Sequence, residues 1–242
     1  MEMLLRRRGP LPKSSTPFGA VCAPVSAIIA LAGAVTVFAQ ELLSIPEPIE
    51  WTREVRHPHP NAKLPNVRLL GDSISRNYLP QVTTVLEGVA NVYLMASSTS
   101  VGDSRLPNQV SEFARLENVQ FRVVHSNNGM HGWGYAEAQF KASLSLLIAA
   151  VRALAGKDGT LVWANRTPVK DDAQAGATNP RIDAPNVIAL AMVMNENIPN
   201  DDQHSVMIKH LDLYQDSIHF KPAGANIMVD QAAASIRAAL CK

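Results

Sequence analysis

The chain has 242 residues, of which 47% are hydrophobic, enough for one domain with a large core. Its formal net charge is +1, and outside Arg6-Arg7-Arg8 the basic residues are scattered, which argues against nucleic acid or an anionic lipid surface as partner. Two cysteines, Cys22 and Cys241, stand near opposite ends of the chain, so no disulfide framework is expected.

Residues 1–39 read as a signal peptide. Arg6, Arg7, Arg8 and Lys13 precede an uncharged run from Phe18 to Ala39, and Val37-Phe38-Ala39 ends it with residues that a signal peptidase accepts. Cleavage after Ala39 would send the protein out of the cell or into a periplasm, with no stable membrane insertion afterwards. The alternative is an uncleaved N-terminal anchor, since the run is long enough to span a bilayer. Residues 40–65 carry Pro46, Pro48, Pro58, Pro60 and Pro65 and predict an extended linker or a surface strap. His57 and His59 lie among these prolines and read as solvated linker histidines.

From residue 66 to 242 strand and helix patterns alternate. Val67 to Leu70 predicts a strand, followed by a helix over Tyr78 to Leu86. Ala90 to Ala96 predicts a second strand, and Pro107 to Leu116 a second helix. Val119 to His125 reads as the third strand. Tyr135 to Ala155 predicts a long helix, with Phe140, Leu144, Leu147, Ile148 and Val151 at helical spacing. Leu161 to Ala164 is the fourth strand, and the polar stretch Lys170 to Asp183 has the composition of a mobile loop. Ala184 to Glu196 predicts a helix, a short fifth strand is expected near Ile198, and Pro222 to Leu240 is the closing helix. Such alternation implies an α/β domain with a parallel sheet of about five strands and helices on both faces. No Gly-x-Gly-x-x-Gly or Walker loop follows a strand, which argues against a nucleotide enzyme.

Three polar islands fall at the expected C-terminal ends of strands or near the C-terminus. Gly71-Asp72-Ser73-Ile74 follows the first strand, where open α/β sheets place reactive groups. A serine there is inert without a base. His219 can be that base, and Asp216, three residues earlier, can hold the other ring nitrogen. Ser126-Asn127-Asn128-Gly129 follows the third strand and offers an amide donor for an oxyanion, although by itself it reads equally as a turn.

Together these islands resemble three of the four sequence blocks of the SGNH (GDSL-type) hydrolases, in matching order from about residue 65 to the end. The resemblance implies a flavodoxin-like three-layer αβα fold and a serine esterase or lipase that needs no metal or organic cofactor. It implies Ser73 as nucleophile, His219 as base and Asp216 as its orienter. The family's third block commonly reads Gly-x-Asn-Asp. Aligning Gly129-Met130-His131-Gly132 instead puts Asn127 on the oxyanion asparagine, and a shift of one residue selects Asn128. For the second block, Gly102 is the expected backbone donor beside the Ser73 N–H, with Ser98 as the alternative. Arg76, His131 and Trp133 are candidate substrate contacts, the aromatic rings suiting a sugar face. The expected substrate is a small-molecule or carbohydrate ester, with a carbohydrate acetylesterase the leading reading. A lipase or thioesterase of the same family is the alternative, and so is a non-catalytic carbohydrate-binding surface protein on the same scaffold.

Overall fold

Alternating apolar side chains make the strands two-faced, and both faces are covered. In a computed structural model, residues 44–127, 129–172 and 176–242 are described. Residues 1–39, expected as a signal peptide, and Asn128 lie outside these residues. Strand β1 (Thr52–Val55) is followed by β2 (Asn66–Gly71), helix α1 (Ser73–Val85), β3 (Asn91–Ser97), α2 (Arg105–Glu117) and β4 (Val123–Asn127). Then come α3 (Glu137–Ala155), β5 (Thr160–Ala164), α4 (Asn179–Asn195), β6 (Asn200–Asp201), the short α5 (Gln203–Met207) and α6 (Pro222–Leu240).

The six strands form one sheet in the order β1-β3-β2-β4-β5-β6. Strands β2 to β6 are mutually parallel, the five expected from sequence, and β1 runs antiparallel on the edge. Val67, Leu69, Val92 and Leu94 face one core with Ile74, Tyr78 and Val82 of α1 and Met228 and Val229 of α6. Leu70, Tyr93 and Met95 face the other, with Leu106 and Val110 of α2 and Phe140, Leu144 and Leu147 of α3. Period-two alternation thus feeds two cores, and the three-layer αβα architecture follows. Strand β2 lies between β3 and β4, so its C-terminal end is where the strand order reverses. Open α/β sheets form their ligand crevice at that point.

Four expectations need correction. The segment 40–65, expected as a linker or strap, supplies an edge strand, because Trp51 to Val55 is a proline-free interval that pairs with β3. Helix α1 begins at Ser73 rather than Tyr78, because Asp72 caps it: Asp72 Oδ1 accepts from Ile74 N at 2.9 Å. The loop expected over 170–183 gives its end to α4, where Pro180 stands in the first turn. The fifth strand falls on polar Asn200–Asp201, because buried Asp201 is held by His125 Nε2 at 2.7 Å and by Gln203 Nε2 at 2.9 Å.

Candidate active site

Ser73, Asp216 and His219 come together at the C-terminal edge of the sheet. Ser73 is the first residue of α1, half-buried beside the end of β2. Its Oγ lies 2.7 Å from His219 Nε2, and His219 Nδ1 lies 2.8 Å from Asp216 Oδ2. Local hydrogen bonds set the second half of this relay. Tyr214 and Phe220 form an antiparallel bridge with stacked rings, closing a tight loop before α6. Within it, Asp216 Oδ1 accepts from the backbone N–H of Ile218 at 2.8 Å and of His219 at 2.6 Å. One carboxylate oxygen fixes the loop and the other fixes the imidazole. Partial burial opposes ionisation of Asp216, but the two N–H donors and the His219 ring outweigh it, so its carboxyl stays below the usual range. With the proton on His219 Nδ1, Nε2 is free to take the serine proton.

Asn127 is the last residue of β4, in register with Gly71 of β2. It is 2% exposed, and its Nδ2 has no hydrogen-bond partner among the described residues. A buried amide donor left open is rare, and at this sheet edge it is available to an oxyanion. The Ser73 N–H, at the first turn of α1, has no partner within its helix. The alternative Asn128 lies outside the described residues.

The loop after Asn127 is pinned by Asp72. Its Oδ2 accepts from the backbone N–H of Gly129 at 3.1 Å and of Met130 at 2.9 Å, while Oδ1 caps α1. One fully buried carboxylate therefore ties the serine helix to the asparagine loop. The hold of Asp72 on a loop more than fifty residues away has no local signature in the sequence. Gly71 permits this closeness. A Cβ there would lie 2.0 Å from Ser75 Oγ and 2.5 Å from the Asn127 carbonyl oxygen.

Gly102 does not match its expected role. Its N–H donates to Ser100 Oγ at 3.0 Å, and its missing Cβ makes room for the Tyr135 ring, 2.6 Å from where that atom would stand. Ser98, the alternative, donates its N–H to the Trp51 carbonyl at 3.0 Å. Both block-two candidates are thus engaged within the fold, because the segment 44–51 and Tyr135 pack over this loop.

That segment also engages two candidate substrate contacts. The Arg76 guanidinium stacks 5.1 Å from the Trp51 ring centre and pairs with no acid among the described residues. His131 Nδ1 meets Glu47 Oε1 at 2.8 Å, and its ring stands edge-on to Trp51. Ser44 and Tyr135 both reach Asp103 Oδ2 at 2.8 Å, and Arg105 bridges Asp103 to Glu50. Trp51 and Glu47 were missed in sequence because a proline-rich stretch reads as linker. Trp133 is partly buried, with the Arg181 guanidinium 5.7 Å from its ring centre. No group of three or more His, Cys, Asp or Glu side chains gathers in metal-binding geometry among the described residues.

No family model matches the chain, and no curated protein matches it in sequence. Solved structures do. A lipolytic protein of the G-D-S-L family from Veillonella parvula superposes with a TM-score of 0.58 at 15% identity, covering 70% of this chain and 96% of its own. A catalytic mutant of an acetylxylan esterase from Geobacillus stearothermophilus gives 0.56 at 15% identity, covering 71% and 94%. A GDSL-like lipase from Bacteroides thetaiotaomicron gives 0.53 at 15% identity, covering 75% and 90%. A five-strand parallel sheet with this order, flanked on both faces and sharing the architecture of these enzymes, gives the chain the SGNH hydrolase fold.

Proposed function

We propose that this chain is a serine hydrolase of carboxylic esters in the SGNH family, working through an acyl-enzyme. The observation that carries the reading is the continuous relay Ser73–His219–Asp216, with contacts of 2.7 and 2.8 Å. Ser73 Oγ attacks the ester carbonyl carbon as His219 Nε2 takes its proton. The carbonyl oxygen becomes an anion and accepts from the Ser73 N–H and Asn127 Nδ2. The tetrahedral species collapses as His219 returns the proton to the departing alkoxide, releasing the alcohol and leaving Ser73 acylated. Water, deprotonated by the same histidine, then releases the acid and restores Ser73. Every step uses groups of this chain and water.

The proposed substrate is an acetylated carbohydrate met outside the cytoplasm. The acetylxylan esterases among the structural relatives support this, as do the aromatic rings of Trp51, against Arg76, and of Trp133, in the segment after Asn127, and the leader 1–39. The leader is proposed to be cleaved after Ala39, placing the enzyme in the periplasm or the medium. A lipase is the competing reading, since GDSL-like lipases share the fold as well. A fluorophosphonate probe is expected to label the protein, with the mapped adduct on Ser73. Across 4-nitrophenyl esters from acetate to decanoate, kcat/KM is expected to be highest for acetate; a maximum at long chains would select the lipase.

Asn127→Ala is expected to lower kcat by roughly 10²–10³ with little change in KM, the loss typical of one oxyanion donor. The same assay on Asn128→Ala tests the register: if that variant shows the loss and Asn127→Ala does not, the donor is Asn128.

A further inference from the structure

We infer that a small cavity behind the asparagine loop is a subsite for a carboxylate carried by the substrate, held between Arg166 and Arg181. Arg166 follows β5 and is 7% exposed. Asn186 clamps its backbone, accepting from the Arg166 N–H at 2.8 Å and donating to its carbonyl at 3.0 Å. The side chain runs directly past Gly129. A Cβ on Gly129 would lie 2.2 Å from Arg166 Cγ, so glycine is what lets the arginine pass. Its guanidinium ends 4.8 Å from the Phe140 ring centre, and among the described residues it has no carboxylate or hydrogen-bond partner.

An unpartnered buried charge is costly. Elsewhere this chain avoids the cost: buried Arg68 pairs with Glu117, and buried Asp201 pairs with His125. Burial lowers the Arg166 pKa to about 10, with Asp72 opposing the shift, so the group remains a cation at neutral pH. Arg181, exposed on α4, likewise has no acidic partner among the described residues.

Both arginines line one cavity of about 30 Å³ with Ser100, Gly132, Tyr135 and Glu137. Other hydroxyls there are already engaged: Ser100 Oγ donates to the His131 carbonyl and Tyr135 to Asp103. Glu137 is the acidic lining residue and forms no ion pair with either arginine among the described residues. The open donors are therefore cationic and fork-shaped, the geometry that matches a carboxylate. The volume suits a carboxylate head and excludes a sugar ring. Hydrogen bonds link the segments around Arg166 to those that carry the proposed reaction centre. Gly129 and Met130, beside Arg166, are bound to Asp72, the neighbour of Ser73. On the other side, Lys170 N–H donates to the Ser217 carbonyl at 2.9 Å, tying the segment after Arg166 to the loop of Asp216 and His219.

The inference rests on the ester-hydrolase reading for what bears the carboxylate, either the alcohol or the acyl side. The alcohol arm compares 4-acetoxybenzoate with its methyl ester; the acyl arm compares mono-4-nitrophenyl adipate with 4-nitrophenyl hexanoate. In at least one arm, Arg181→Gln is expected to lower the carboxylate-over-neutral ratio of kcat/KM roughly ten- to a hundredfold. The arm that responds identifies the source. Separately, 4-hydroxybenzoate and adipate are titrated into the Ser73→Ala protein while tryptophan fluorescence is followed. At least one is expected to bind, and to bind more weakly when Arg181→Gln is added. Binding that Arg181→Gln leaves unchanged for both anions, or no binding of either, overturns the subsite. Arg181-dependent binding in a protein whose wild type hydrolyses none of the four esters supports the subsite and counts against the hydrolase reading instead.

Discussion

Ser73→Ala is expected to abolish hydrolysis of 4-nitrophenyl acetate, with a loss on the order of 10⁶ in kcat. The variant removes the atom that forms the covalent bond, so only slow attack by water, aided by the oxyanion donors, remains. The substitution is clean. The cap of α1 is supplied by Asp72 rather than by Ser73, and Ser73 Oγ has its contact with His219, so the helix keeps its start. Thermal unfolding of the variant is accordingly expected to match wild type within about 0.5 kcal/mol. Unchanged turnover in a folded Ser73→Ala protein would refute the covalent mechanism.

Asp216→Asn is the second large effect, a fall of about 10⁴ in kcat with little loss of stability. Its carbonyl oxygen can still accept from the backbone N–H of Ile218 and His219, which keeps the loop closed. Its amide would then face His219 Nδ1, which today meets a carboxylate oxygen at 2.8 Å. An amide donor drives the ring proton to Nε2, and Nε2 can then no longer accept from Ser73. Stopped assays over pH, with thermal melts as control, separate this tautomer effect from unfolding. A variant retaining more than a tenth of wild-type kcat would show that Asp216 does not orient the base. The pH dependence carries its own sign. The Asp216 carboxyl is depressed by its N–H donors and the imidazole, against burial, so its support of the ring holds through the ordinary carboxylate range and fails only as pH falls through its lowered value. Neutralisation of Asp216 is therefore expected to cut activity only below the ordinary carboxylate range.

Much of the fold was legible because its signals are local. Apolar alternation in β2 and β3, helical spacing in α3 and proline at the start of α6 each mark an element without reference to the rest of the chain. Two of the misreadings, the linker and the fifth strand, share one cause, which is that long-range partners changed the meaning of a local pattern. Residues 44–55 look like a linker, yet Ser44, Glu47 and Trp51 find partners on the loops after β3 and β4, and Glu50 finds Arg105 at the start of α2. Arg68, a charge within an apolar run, is buried because Glu117 of α2 and the Phe121 ring meet it. Asn200–Asp201 is too polar for a strand until His125 receives Asp201.

What the sequence determined by itself was the inventory: a serine after an apolar strand, Asp-x-x-His before the last helix, an asparagine pair after the third strand, and the α/β alternation that carries them. Those features depend on neighbours within a few residues, where backbone geometry links spacing to direction. What only the tertiary structure decided was which donors stand open. Gly102 and Ser98 are taken up by Ser100 and Trp51, Asp72 joins loop to helix, and among the described residues Asn127 Nδ2 is left without a partner and Arg166 is buried without a paired acid. Whether a polar group is satisfied depends on atoms that arrive from anywhere in the chain, so it is a property of the packed molecule and of no single segment.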